Sequence, residues 1–372
     1  MYPNATIYTG ISIQTLPCGD NIIERYRMNP GSIRTPTLSA NDPATAAPRR
    51  IGIVTCRAEK LTDYFPTIAE PDFVSTEPPF TPDDQLLVDE LRRRGHQVRP
   101  VIWGSDTSRL SDQFDLLVIR SAWDYMDSVG QREGFLRWLG QLAATGVAVE
   151  NEVDVMLWLM DKQYLLDFAA AGVPVVPTRL VPAGESFDLE TYVGRNGGAI
   201  IKPAVSAAGA GLEWLPDRQT ARDFESEFAE RCLRGAQLVQ PFLPEIRTNG
   251  EWSLVYFGGG FSHGVHKLPA SGQILVHAER GGSLCFADPP SVIRRVGDQA
   301  AASVARAFAH RTGRACRMPL YLRIDVILTG DGGLLSECEG VEPELFFRAM
   351  PGSEARFATL VEKVAIQQPG EP

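Results

Sequence analysis

From residue 51 the chain alternates short, β-branched apolar runs with amphipathic stretches: IGIVT (51–55), PDDQLLVDELRRRG (82–95), VRPVIW (98–103), DLLVIRS (115–121), a helical periodicity near 131–145, and VAV (147–149). A short apolar run bounded by polar residues reads as a buried strand, and apolar residues recurring at i, i+3 and i+4 read as a helix. The order strand, helix, strand, strand, helix, strand therefore predicts a small parallel α/β sheet. Pro82 near the start of the first helix and Gly95 just past its end are the expected punctuation.

A second region begins near residue 152 with the helical stretch DKQYLLDFAAAG, closed by Gly172, and continues through VPVVPT, GAIIKP and QLVQPFL. The third runs from Glu251 through the strands WSLVYF and FSHGVHKL, a helix over 297–312, and a final hairpin, YLRIDVIL-TGDGG-LLSECE. The fold class is thus α/β in three parts, residues 50–151, 152–243 and 244–365, with antiparallel sheet towards the C-terminus. Residues 1–49 break the pattern. They end in SIRTPTLSANDPATAAPRR, which has little apolar periodicity and is expected to be a disordered extension. Its slight positive charge, five arginines against Asp20, Glu24 and Asp42, also suits a targeting peptide or a start codon assigned too early.

Composition narrows the function classes. Hydrophobic residues at 44% and charged residues at 22% are ordinary for a soluble globular protein. A net charge of −10 repels a phosphate backbone, which argues against a nucleic-acid surface. No apolar run is long enough to span a membrane and no signal-type apolar core follows the N-terminus, so the expected location is the cytoplasm, with no membrane partner. Cys18, Cys56, Cys232, Cys285, Cys316 and Cys338 are scattered without a CxxC pair and read as free thiols.

The chemistry concentrates in the last hairpin. Asp-Gly and Gly-Gly in TGDGG supply the positive φ angles of a tight turn. With the turn centred near Asp331, Asp325 falls opposite Glu337, while Arg323 and Glu339 lie beside them on the same face. Three carboxylates then crowd one patch, where cross-strand neighbours are about 5 Å apart. Either a hard divalent cation relieves the repulsion, or the patch is an exposed acidic face partly paired by Arg323. Upstream, Lys202 ends the run GAIIK and precedes PAVSAAGAG, whose small residues, among them Ser206, Gly209 and Gly211, let backbone N–H groups approach phosphate oxygens. A flexible surface linker is the other reading of this loop. It lacks both GK[ST] and GxGxxG, which disfavours the P-loop and Rossmann folds. Lys162 at a helix start suits either a phosphate or plain exposure. Gln240 and Glu245 flank an apolar turn that includes Phe242 and Leu243, as an adenine slot requires.

Taken in order, Lys162, Lys202, the small-residue loop, Gln240-Pro-Phe-Leu, Glu251, Lys267, Asp325 and Glu337-x-Glu339 resemble the ATP-grasp superfamily of carboxylate–amine ligases over about residues 51–363. The resemblance implies an ATP-grasp fold with an N-terminal parallel α/β domain, a small central α+β subdomain and a C-terminal antiparallel subdomain. It implies that Lys162 and Lys202 hold ATP phosphates, that the loop with Ser206 and Gly209 is the phosphate lid, and that Gln240, Phe242, Leu243 and Glu245 form the adenine hinge. Glu251 would take the ribose, and Asp325, Glu337 and Glu339 two magnesium ions, for which manganese is an acceptable substitute. Glu339 stands where the family has asparagine. Lys202, Lys267 and Arg323 are the candidate catalytic cations.

RSAWDY (120–125), DKQYLLDFAAAGVPVVPT (161–178), IIKPAVSAAGAG (200–211) and YLRID…ECEGVEPELF look like the branch that includes O-ureido-serine cyclo-ligase. One departure is Leu275, in GQILVH (272–277), where family members commonly carry an arginine in a strand before a Gly-Gly turn; Arg280 is a nearby substitute. His263 and His266, three apart on a strand, point to opposite faces and cannot chelate one ion, whereas His263 shares a face with Lys267. RSAWDY ends a parallel strand, at the edge where open α/β sheets bind ligands, so Arg120 and Asp124, assisted by Ser121 and Tyr125, are the candidate grip on an amino-acid-like substrate. A helix cap at Ser121 with a packing Trp123 is the alternative. The implied reaction is ADP-forming ligation through an acyl or imidyl phosphate, including ring closure within one molecule. A kinase on the same fold and a non-catalytic nucleotide-binding module are the rivals. The oligomeric state stays open, with a homodimer as one option.

Overall fold

The structure, a computed structural model, describes residues 5–9, 12–16, 47–57, 60, 80–276 and 281–366. Two short strands, β1 (Ala5–Thr9) and β2 (Ser12–Leu16), pair antiparallel within the segment expected to be disordered. Most of that segment, and Arg280, lie outside the described residues.

Next come β3 (Arg50–Thr55), α1 (Pro82–Arg93), β4 (Gln97–Ile102), α2 (Leu110–Gln113), β5 (Leu116–Ser121), α3 (Val129–Thr145) and β6 (Ala148–Glu150). The four strands are parallel, in the order β4-β3-β5-β6. β3 and β5 are almost wholly buried, as their continuous apolar runs require. The order reverses between β3 and β5, whose C-terminal ends meet at Thr55 and Ser121, and such a switch point is where open α/β sheets leave a crevice. At α1, Thr81 caps the helix by accepting the Asp84 N–H at 3.0 Å, and Pro82 occupies the first turn. That first turn also holds Asp83 and Asp84, both buried, which pair with arginines elsewhere in the fold.

The central part contains α4 (Val153–Leu159), α5 (Tyr164–Ala170), β7 (Arg179–Val181), α6 (Leu189–Asn196), β8 (Ala199–Pro203), β9 (Glu213–Leu215), α7 (Arg218–Arg234) and β10 (Gln237–Pro241). Its antiparallel sheet, β7-β10-β8-β9, packs on α6 and α7 through a small core of its own that includes Leu189, Ile201, Phe228 and Val239. VPVVPT is not a strand: it makes one parallel bridge, Val175 to Leu335.

The C-terminal part comprises α8 (Ile246–Asn249), β11 (Glu251–Phe257), β12 (Gly260–Leu268), β13 (Ser283–Phe286), α9 (Ser291–Thr312), β14 (Tyr321–Thr329), β15 (Gly332–Glu339) and α10 (Ser353–Ile366), with the sheet order β13-β12-β11-β14-β15. Alternation sorts its side chains. Trp252, Leu254, Tyr256, Ile324, Val326 and Leu335 join a core that includes α9. The opposite face is divided along its length: Val255, Phe257 and Tyr321 join a core with Ile53 and Val118 of the parallel sheet and Phe357 of α10, whereas Glu251, Ser253, Arg323 and Asp325 make the other half polar.

Two expectations are corrected. GQILV does not form a strand; Ser271–Val276 is turn and coil, and His277 lies outside the described residues. Nor are all thiols free: Cys56, Cys232, Cys316 and Cys338 are, but Cys285 is disulfide-bonded, because pairing follows proximity in the fold, which scattered spacing does not reveal.

Candidate active site

The polar half-face owes its composition to a β-bulge. The turn between β14 and β15 centres on Gly330 and Asp331, with Thr329 opposite Gly332 and Val326 opposite Leu335. Continued unbroken, that register would set Asp325 against Ser336 and turn Glu337 and Glu339 to the far face. A bulge intervenes, the register shifts by one, and Asp325 pairs with Glu337 and Arg323 with Glu339. The expected pairing is therefore present, reached through a different turn centre and a bulge that the sequence reading did not contain. Ser336, the extra residue, donates its hydroxyl to Glu251 Oε2 at 2.9 Å and is 3.0 Å from the Asp325 carbonyl oxygen.

Ligand oxygens of Asp325, Glu337 and Glu339 lie within 4.8 Å of one another. Cations from several elements face them. Arg323 bridges Asp325, at 3.1 Å, and Glu339. Lys267 of β12 contacts Glu251 at 2.7 Å and Asp325 at 3.5 Å, and Lys162, just before α5, contacts Glu337 at 2.9 Å. Ser253 donates to Asp325 Oδ1 at 2.5 Å. Burial would raise the Asp325 carboxyl, but Arg323 and Lys267 hold it down to about 2. Burial likewise opposes ionisation of Glu337, and Lys162 and Lys202 keep it below the usual range. Glu339 is different: burial, with Glu337 and Asp325 close by, pushes it up to about 8 despite Arg323. Lys267 is raised because Asp325 and Glu251 outweigh its burial, whereas burial lowers Lys202, which has no ion pair among the described residues.

Lys162 does not open the helix proper but precedes it; α5 starts at Tyr164. Its backbone N–H bonds the Ala204 carbonyl at 2.8 Å, and its ammonium also donates to the Ser206 carbonyl, so this lysine links the small-residue loop to the metal-ligand candidates. In that loop Ala208, Gly209 and Gly211 have φ of 49°, 68° and 73°. The left-handed conformation at Gly209 and Gly211 is one that glycine adopts without steric cost. Ser206 Oγ donates to the Pro203 carbonyl at 3.2 Å. Along β10, Gln240 donates to Thr178 at 2.8 Å. Beyond its end Phe242 sits 5.1 Å from Trp214, and the Arg247 guanidinium lies over both rings. Leu243 and Glu245 cap the entry to α8 through their carbonyls.

The RSAWDY residues lie at the switch point, in a different condition from the lysines. Arg120 is 2% exposed; its Nε donates to Asp84 at 3.1 Å and its Nη2 to the Pro343 carbonyl at 2.9 Å. Ser121 donates to the other oxygen of Asp84, and Asp124 accepts from the Trp103 indole, with Arg57 at 3.8 Å. Tyr125 donates to Glu342 Oε1 at 2.8 Å. Burial raises the Glu342 carboxyl to about 7.

This arrangement of a parallel sheet and antiparallel sheets recurs in solved proteins. A D-cycloserine synthetase, DcsG, superposes with a TM-score of 0.66 at 22% identity, covering 84% of this chain and 99% of that one. The chain has the ATP-grasp fold. D-alanine–D-alanine ligase from Bacillus anthracis shares it with a TM-score of 0.57 at 11% identity over 85% of this chain and 96% of that one, and a RimK-domain ATP-grasp protein from Sphaerobacter thermophilus with 0.56 at 16% over 86% and 100%. Residues 51–151 match the family model described as D-cycloserine synthetase DcsG, N-terminal domain. In sequence, the ATP-grasp chain is 25% identical over 291 residues to the cycloserine biosynthesis protein DcsG of Streptomyces lavendulae, which covers 75% of this chain and 93% of the relative.

Sequence reasoning missed several residues that build the site. Ser253 lies two residues beyond Glu251 on the same strand face, so alternation alone would have found it. Asp84 and Ser336 stood in PDDQLLVDELRRRG and LLSECE without a role. Glu342 stood in the quoted ECEGVEPELF without a role.

Proposed function

We propose that this protein is an ADP-forming ATP-grasp ligase that activates an amino-acid-like substrate and joins it to nitrogen. The observation that carries the reading is the patch of Asp325, Glu337 and Glu339, whose oxygens lie within 4.8 Å and which Lys162, Lys267 and Arg323 neutralise from different elements. The donor set fits magnesium: carboxylate oxygens, converging, with Ser253 orienting Asp325. Asp325, Glu337 and Glu339 would hold two such ions, and the ions would supply charge neutralisation for the phosphates.

In the proposed reaction the γ-phosphoryl group passes from ATP to a substrate oxygen, breaking the bond to ADP. A nitrogen of a second substrate, or of the same molecule, then attacks the activated carbon, phosphate leaves, and the nitrogen loses a proton to solvent. Lys202 and Lys162 hold phosphate oxygens, Lys267 and Arg323 stabilise charge on the transferred group, and the loop with Ser206 and Gly209 closes over it. Gln240, Phe242, Leu243 and Glu245 receive the adenine, and Glu251 the ribose. Arg120, Ser121, Asp124 and Tyr125 form the substrate side. Catalysis rests on positioning and electrostatics, without a protein nucleophile. Similarity to a D-cycloserine synthetase and to a D-alanine–D-alanine ligase supports a small amino-acid-like substrate.

The test is ADP release with magnesium and ATP across amino acids and amines, O-ureido-serine included, with mass spectrometry of the product. Free phosphate with a condensed or cyclised product is expected. A stable phosphorylated product would make the protein a kinase, and tight ATP binding without turnover would make it a binding module.

A further inference from the structure

Glu342 lies three residues past Glu339, where the chain leaves β15, and it is held with more care than a loop glutamate needs. Its Oε1 accepts the Tyr125 hydroxyl at 2.8 Å, and its backbone carbonyl accepts the Trp123 indole N–H at 2.9 Å. Its other oxygen, Oε2, is buried and has no hydrogen-bond partner among the described residues. Arg120 is in the complementary condition. Two of its nitrogens bond Asp84 and the Pro343 carbonyl, at 3.1 and 2.9 Å, and its guanidinium lies 5.1 Å over the Tyr321 ring, while Nη1 is buried without a hydrogen-bond partner among the described residues. Because Arg120 bonds the residue that follows Glu342, the unmatched acceptor and the unmatched donor belong to one patch, yet they do not pair with each other. Folded proteins keep few such groups, since a buried carboxylate oxygen or guanidinium N–H without a partner is costly. The patch adjoins the carboxylate face: Lys162, Arg323 and Arg120 all act electrostatically on Glu342.

We infer that Glu342 Oε2 and Arg120 Nη1 are the two poles of a substrate subsite, taking the ammonium and the carboxylate of a zwitterionic α-amino acid, with Tyr125 and Trp123 as the positioning residues that aim Glu342. A zwitterion is the ligand whose two charges satisfy both groups at once. A simple cation or anion would satisfy one and leave the other buried unpaired. The motif RSAWDY thus acts on substrate through Arg120 directly and through Trp123 and Tyr125 at one remove, and Ser121 and Asp84 brace the arginine.

This inference deepens the ligase reading, and its test separates the two. Calorimetric titration of the full chain, with magnesium and a non-hydrolysable ATP analogue present, compares amino acids with their N-acetyl and methyl-ester counterparts. At least one free amino acid should bind, and blocking either its amine or its carboxylate should weaken binding about 30-fold or more. Glu342→Gln should weaken the free amino acid by a similar factor but the deaminated analogue hardly at all, the non-additivity expected of a direct pair. Tyr125→Phe should give a smaller loss with the same selectivity for the amine, which a merely structural role would not produce. Equal binding of parent and N-acetyl forms, wild-type affinity in Glu342→Gln, or no binding by any amino acid would each overturn the inference. If Glu342→Gln does not fold, the analogue comparison on the wild-type chain decides. Amino-acid binding without ADP release would sink the ligase reading alone, and ADP release with an N-blocked substrate would sink this one alone.

Discussion

Lys162 contacts Glu337 at 2.9 Å and the backbone carbonyl of Ser206, so a single ammonium joins the carboxylate patch to the loop proposed to cover the phosphates. Removing the charge of Glu337 should therefore disturb metal and nucleotide together. Glu337→Gln is expected to lower magnesium-dependent ADP formation about 100-fold or more with the melting temperature little changed; full turnover in a coupled ADP assay would refute the site. His263 offers a test remote from the chemistry. Its Nε2 lies 2.9 Å from the Leu345 carbonyl oxygen, and burial lowers its pKa from 6.5 to about 4. The unfolded chain takes up this proton first on acidification, so the contribution to stability is complete above pH 6.5 and is lost as pH falls towards 4. Between pH 7 and pH 5 the loss is about 2 kcal/mol. Urea unfolding at both pH values should show His263→Gln losing less by about that amount; an identical pH dependence in the two proteins would contradict the assignment.

At the scale of the element, the hairpin β14–β15 brings its carboxylates to one face through a bulge that absorbs one extra residue. The sequence reading paired Asp325 with Glu337 by centring the turn on Asp331, whereas the turn centres half a residue earlier and the Ser336 bulge restores the pairing. Alternation and turn chemistry are local and could be read from TGDGG; a bulge depends on what the strand must accommodate across the sheet, here Glu251 and Asp325. Because Ser336 is the extra residue, deleting it lets Glu337 follow Leu335 directly and stay opposite Asp325, so Glu337 and Glu339 should keep their face and ADP formation should stay within about tenfold of wild type, as in Ser336→Ala. Loss of ADP formation in the deletion, with activity kept in the alanine variant, would show that the bulge itself is needed and not only the pairing. Lys162, Lys202 and Lys267 were legible because each stands beside a recognisable segment. The couplings among them were not, since each comes from a different strand or loop.

For the molecule as a whole, the parallel sheet and the C-terminal sheet share one apolar core, and a fully buried asparagine ties them together. Asn151, just past β6, donates to the carbonyls of Tyr321 at 2.9 Å and Gly340 at 2.7 Å and accepts the Leu320 N–H at 2.7 Å. Tyr321 adds a hydroxyl bonded to the Val341 carbonyl at 2.8 Å and to the Ile119 carbonyl. This junction fixes the parallel sheet against the sheet that carries the carboxylate patch. Asn151→Ala leaves buried backbone groups unpaired and should cost about 3 kcal/mol, lowering the melting temperature by about 5 °C or more, and should also raise KM for the amino-acid substrate. An unchanged melting temperature would mean that the junction relaxes without penalty. No helix among the described residues is long and apolar enough to cross a membrane.

The sequence by itself determined the two kinds of sheet, the order of the lysines and carboxylates, and hence the superfamily they resemble, because strand and helix periods and turn residues are local properties of the chain. The tertiary structure decided which face Glu337 and Glu339 occupy and which cation meets which carboxylate. It also decided that RSAWDY grips Glu342. Those outcomes depend on register, burial and contacts between residues far apart along the chain: Ser336 with Glu251, Lys162 with Glu337, Tyr125 with Glu342.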